Sequence, residues 1–103
     1  MRDLLDTKLA RFEELERAMA DPVVLADPQR MSAAAREHGS LARLALRYRG
    51  FVALERQIAE LDELGLGDDY EMRALAEAEL PELEARRDAE WDALAELCSD
   101  DDD

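Results

Sequence analysis

The sequence predicts an all-α fold, an antiparallel, coiled-coil-like hairpin of two long helices with a shorter N-terminal helix packed on it. Three observations lead there. Ala, Glu, Leu, Arg and Asp dominate the 103 residues while aromatic residues make up only 5%, the composition of long helices that meet through narrow seams. Apolar residues recur at spacings of three and four, and no strand-like alternation or 20–50-residue repeat occurs. Two clusters of helix-breaking residues, "ADPVVLADP" and "LGLGDD", divide the chain into three helical stretches.

The first stretch, Leu4 to Met19, places Leu5, Leu9, Phe12, Leu15 and Met19 on one helical face. It is expected to stop at "ADPVVLADP", because Pro22 and Pro28 each push the preceding aspartate out of the α region. Asp27 followed by Pro28 is also a start signal, an N-cap acid with proline at the first helical position.

From Pro28 the pattern runs through Met31, Ala35, His38, Leu41, Leu44, Ala45, Tyr48, Phe51, Val52, Leu54, Ile58, Leu61 and Leu64. That is close to five heptads, a helix about 50 Å long. Gly39 and Gly50 lie within it and weaken it by up to ~1 kcal/mol each, marking places for a bend or close packing. Gly65 and Gly67 supply its C-terminal stop and a short connection, after which Asp68 or Asp69 caps the third helix. So short a connection requires the two long helices to run antiparallel.

The third helix carries Met72, Leu75, Ala76, Leu80, Leu83, Trp91, Leu94 and Leu97 and contains Pro81, a residue that costs about 3 kcal/mol in a helix interior. The apolar seam keeps its phase on both sides of Pro81, and no Gly, Asn or Ser is at hand to build a loop. Residues 69–98 are therefore expected to form one helix bent at Pro81, or two helices abutting there, with the Glu77 carbonyl losing its partner. Trp91 is read as a core anchor between the long helices. The expected domain spans residues 1–98. Residues 99–103, largely aspartate, have no apolar face to bury and read as a disordered tail or the start of a linker.

Composition excludes several function classes. No apolar run approaches the ~20 residues of a membrane span, and the N-terminus lacks the apolar stretch of a signal peptide. The lone Cys98 can form no internal disulfide, so a soluble, cytoplasmic protein is the expectation. One His, one Cys, no nucleophile motif and no glycine-rich phosphate loop leave no catalytic constellation; no catalytic, cofactor-binding or metal-binding residue is predicted, and the chain is not expected to be an enzyme. His38 lies on the apolar stripe and reads as a partly buried packing residue. A net charge of −14 opposes binding to DNA or to RNA backbones.

That charge is unevenly spread. Residues 28–49 hold 5 basic side chains against 1 acidic, whereas residues 50–103 hold 4 against 19. Arg30, Arg36, Arg43, Arg47 and Arg49 therefore form a locally positive segment in an acidic chain. They either pair with the acidic flanks of the neighbouring helices or form a patch for RNA or an acidic protein surface.

Taken together, "LARFEELERAMADPVVLADPQRMSAAAREHGSLARL" and "DDYEMRALAEAELPELEARR" resemble the N-terminal helical domain of bacterial class I peptide chain release factors of the release factor 1 type. Residues 68–87, which follow that family's D-x-E-M-x-x-x-A-x-x-E-L-x-x-L pattern, carry the most specific part, and the "E-L-P-E-L" around Pro81 is a family-like bend. His38, where the family often has Tyr, and "CSDDDD", where a leucine- and proline-containing joint is usual, depart from it.

The resemblance implies a part in translation termination at stop codons. Neither a Gly-Gly-Gln hydrolysis loop nor a codon-reading tripeptide occurs in the 103 residues, so the expectation is an isolated domain that does not release peptides by itself. It further implies ribosome binding at the stalk base of the large subunit and contact with a class II release factor GTPase. On charge alone, Arg36, Arg43 and Arg47 are the expected contact residues. By itself the domain is expected to be a monomer or weak dimer; the alternative is a structural hairpin or adaptor that self-associates.

Overall fold

Four helices make up the chain in a computed structural model that describes residues 1–101, with side chains through Ser99: α1 (Arg2–Ala20), α2 (Pro22–Leu25), α3 (Pro28–Gly65) and α4 (Tyr70–Asp101). No strand occurs among the described residues. The chain falls into two compact units, Met1–Tyr48 and Arg49 onward, and α3 contributes residues to both.

In the first unit α1 lies antiparallel to the opening turns of α3. Asp6 meets Tyr48 near the start of α1, whereas Arg11 meets Glu37 and Phe12 meets His38 further along it, so advancing along α1 leads back toward the start of α3. Leu5, Phe12 and Leu15 of α1, Val24 of α2, and Leu44, Ala45 and Tyr48 of α3 are buried and form the core of this unit. The Phe12 and His38 rings stack with centroids 4.1 Å apart and planes 18° from parallel. His38 thus serves as a packing residue, its Nε2 4.0 Å from a Glu16 carboxylate oxygen.

The segment expected to be a plain break carries a helical turn of its own. Asp21 is extended, and its carboxylate accepts from the Val23 amide while Pro22 opens α2. The two Asp-Pro pairs act as two successive start signals: Asp27 accepts from the amides of Gln29 and Arg30 at 3.1 and 3.3 Å and caps α3. The prolines end α1 as anticipated, but the residues between them become Val24's anchor into the core rather than a loop.

In the second unit α3 from Arg49 and α4 form an antiparallel hairpin. Phe51 packs on Trp91, with ring centroids 5.0 Å apart, and a Cβ placed on Gly65 would touch the Ala76 Cβ at 3.4 Å. Phe51, Ile58, Ala76, Leu94 and Leu97 are its buried residues. The tip is closed by Asp69, whose carboxylate accepts from the amides of Glu71 and Met72 at 2.9 and 3.3 Å. α3 ends through tightened bonds, from the Leu66 amide to the Glu63 carbonyl and from the Gly67 amide to the Leu64 carbonyl. Neither Gly65 nor Gly67 adopts a positive φ.

α4 continues through Pro81 as one helix rather than two abutting ones. Pro81 is exposed, while Leu80 and Leu83 are half-buried on either side of it. Two expectations are corrected. Gly39 and Gly50 do not mark close packing, since a Cβ on either meets nothing within 4 Å. Leu64 and Leu75 do not join the seam: each is 41% exposed, because the buried face of the hairpin reaches only Ala76 at this end. α4 is helical as far as Asp101, and residues 102–103 of the expected 99–103 tail lie outside the described residues.

Candidate functional site

The basic segment of α3 begins at its N-cap. Asp27 fixes the helix phase, and from there the 3.6-residue turn decides which arginines share a face. Arg36, Arg43 and Arg47 fall within an arc of about 40° and point about 130° away from the mean direction of Leu41, Leu44, Ala45 and Tyr48. All three are exposed, consistent with that geometry. Arg30 falls outside this stripe and lines a groove of about 290 Å³ with Arg11, Leu15, Val24 and Glu37.

The local anion is committed elsewhere. Glu37, the only acidic residue of segment 28–49, accepts two hydrogen bonds from the Arg11 guanidinium, at 2.6 and 2.7 Å. Arg11 also approaches Glu14 at 3.1 Å. The paired hydrogen bonds hold the Glu37 carboxyl below the usual glutamate range and push the Arg11 guanidinium further up. Arg36 donates to the Ser32 hydroxyl at 3.5 Å, a contact between neighbouring turns that leaves its charge unneutralised there. Arg36, Arg43 and Arg47 thus make a cationic flank of exposed guanidinium groups, the side-chain type that suits phosphate or carboxylate groups.

Comparison with known proteins bears on what such a surface belongs to. The family model for the PCRF domain matches residues 8–103. The chain belongs to the PCRF domain family. Curated relatives of this PCRF domain include "Peptide chain release factor 1" of Akkermansia muciniphila, 38% identical over 97 residues, which covers 94% of this chain and 25% of that protein. The protein of the same name from Acidobacterium capsulatum is 36% identical over 86 residues, covering 84% of this chain and 24% of its own. That of Acidothermus cellulolyticus is 33% identical over 97 residues, covering 94% and 25%. The PCRF domain described here therefore spans about a quarter of the length of these relatives. No solved structure gives a significant match.

Of the five arginines of the basic segment, the three expected as contact residues are all exposed, and Arg30 lines a groove with residues of α1. The reach from Arg11 to Glu37 was not anticipated, because it depends on the register between two helices 26 residues apart in sequence. No helix of the described residues is long and apolar enough to cross a membrane.

Proposed function

We propose that this PCRF domain is the N-terminal helical part of a peptide chain release factor that directs translation termination in the cytoplasm. Its role is binding, at the stalk base of the large ribosomal subunit and toward a class II release factor GTPase, rather than codon reading or ester hydrolysis. The observation that carries this reading is the continuous family match over residues 8–103, joined to relatives whose shared name is "Peptide chain release factor 1".

Arg36, Arg43 and Arg47 are the proposed contact. In a chain of net charge −14, phosphate-rich surfaces are repelled at long range, so only a locally positive flank can approach them closely. A three-arginine stripe on a rigid helix provides that approach in one orientation.

Two measurements test the proposal. Sedimentation of the chain with large ribosomal subunits is expected to show binding that weakens by about tenfold or more in the R36E/R43E/R47E variant, with a shallower dependence on salt. A chimera in which this chain replaces the matching segment of the Akkermansia muciniphila relative is expected to release peptides, and to do so more slowly when the three arginines are reversed. Unchanged ribosome affinity and unchanged release kinetics would overturn the assignment of the stripe. A chimera that folds but cannot support release would overturn the termination role. Should analytical ultracentrifugation instead find a tight dimer at tens of micromolar, the structural-hairpin alternative would take its place.

A further inference from the structure

At the tip of the hairpin in the second unit, apolar side chains face solvent without serving the core. Leu66 is 87% exposed and Tyr70 76%, with Leu64 and Leu75 beside them in the sequence at 41% each. Elsewhere the chain encloses its bulky rings: Phe12 and Tyr48 retain 1% and 0% of their surface. Closing the tip does not require these side chains, because the Asp69 carboxylate caps α4 and the Leu66 contribution is its backbone amide.

Leu66 and Tyr70 stand at the edge of a groove of about 510 Å³ between the end of α3 and the first turns of α4. Gly65, Ala74 and Ala76 form its small-residue lining, and Leu80 closes the apolar end. The groove exists because nothing larger than a methyl group occupies those three positions. The charged side chains of its lining are Asp62, Glu77 and Arg73, and the stretch that carries them is acidic: residues 62–77 contain six carboxylates, Asp62, Glu63, Asp68, Asp69, Glu71 and Glu77, against the single Arg73.

We propose that this tip is a docking surface for a basic amphipathic segment of another protein. Apolar side chains of that segment seat on Leu66 and Tyr70 over the Ala74 lining, and its lysines or arginines face Asp62, Glu77 and the neighbouring acids. Charge complementarity selects this occupant. Nucleic acid and anionic lipid surfaces would bring phosphates against Asp62 and Glu77 in a stretch of net negative charge. A second copy in a two-fold contact would set the same acidic rim against itself. An exposed tyrosine beside a pocket is also a frequent anchor at protein interfaces, and its ring face attracts a lysine or arginine. The inference rests on the second unit alone and does not depend on the termination role proposed above.

The test uses the 103-residue chain and three synthetic 14-residue peptides read by fluorescence anisotropy. One carries leucines at helical spacing among lysines, one replaces its leucines by serine, and one replaces its lysines by glutamate. The leucine–lysine peptide is expected to bind about tenfold or more tightly than the serine–lysine peptide, and the leucine–glutamate peptide is expected not to bind. Leu66→Ser with Tyr70→Ser is expected to lower the affinity about tenfold, as is Ala74→Trp, which fills the groove while leaving both anchor residues in place. Asp62→Asn with Glu77→Gln should flatten the salt dependence. Amide shifts on binding should concentrate between residues 62 and 80. Equal binding of the two lysine peptides, indifference to both anchor and groove variants, or shifts confined to α4 beyond Leu83 would overturn the proposal. So would a dimer of the chain that Leu66→Ser dissolves, or an RNA oligonucleotide that competes for the same amides.

Discussion

Tyr48, fully enclosed in the first unit, donates its hydroxyl hydrogen to the exposed carboxylate of Asp6 on the antiparallel helix. The ring supplies apolar burial and the hydroxyl reaches out to a group that stays hydrated. These two contributions separate by mutation. Tyr48→Phe keeps the ring and frees an acid that water can solvate, so a loss of about 0.5–1.5 kcal/mol is expected in urea unfolding. Tyr48→Ala leaves a cavity as well and should cost about 3–5 kcal/mol.

The pairing of Arg11 with Glu37 predicts a pH signature. The Glu37 carboxyl titrates lower in the folded chain than in the unfolded one, so the unfolded state takes up its proton first as the solution is acidified. The stabilisation is complete above the ordinary glutamate value of about 4.3 and fades as pH falls through the depressed folded value. Arg11 stays charged throughout this window and adds no pH dependence of its own. Glu37→Gln should therefore be less stable than the parent at neutral pH, and the gap should close below about pH 4 in paired urea titrations. A gap independent of pH would show that the carboxylate's charge is not involved.

Both long helices begin on an aspartate whose carboxylate accepts two backbone amides, Asp27 for α3 and Asp69 for α4. Asp27→Ala and Asp69→Ala are each expected to cost about 1 kcal/mol, seen as an earlier midpoint in thermal unfolding followed by circular dichroism. The two lie in different units, so their effects should add.

Gly39 and Gly50 are helical, have ordinary φ, and would carry a Cβ into open space. Gly39→Ala and Gly50→Ala should each stabilise the chain by up to about 1 kcal/mol, since nothing in the fold uses the missing side chain. A loss of stability in either variant would mean that α3 needs its flexibility there.

Pro81 is exposed within α4 and offers no amide to the Glu77 carbonyl. Pro81→Ala restores that bond, at the expense of a looser unfolded chain, and is expected to raise stability by about 1–3 kcal/mol. A fall in stability instead would show that the proline itself helps to hold Leu80 and Leu83 in their half-buried positions.

Most of the architecture was legible because it is written locally. The cap at Asp27, a second cap at Asp68 or Asp69, the phase of the apolar stripe through Pro81, and the packing role of His38 all follow from neighbours within a turn or two. What escaped depends on register between distant segments. Asp6 and Arg11 look like ordinary surface charges until α1 is laid along α3, and Val24 looks like part of a loop until its turn is seen to face the core. Leu64 and Leu75 obey the helical period yet stay exposed, because periodicity states which face a residue shares and not where the partner helix stops covering it. Arg36, Arg43 and Arg47 were singled out on charge in the sequence, whereas the groove that Arg30 lines with Arg11 and Leu15 depends on the register of α1 along α3.

The four-residue connection Leu66–Asp69 carries a kinetic consequence. Loop closure here costs little entropy, and each later pairing, from Gly65 with Ala76 out to Phe51 with Trp91, extends one already made. Chains dominated by such near-neighbour contacts cross their barrier in roughly microseconds to milliseconds. The tip should thus be the starting point from which the second unit zips shut, and substitutions there that weaken the Asp69 cap should slow refolding more than they hasten unfolding.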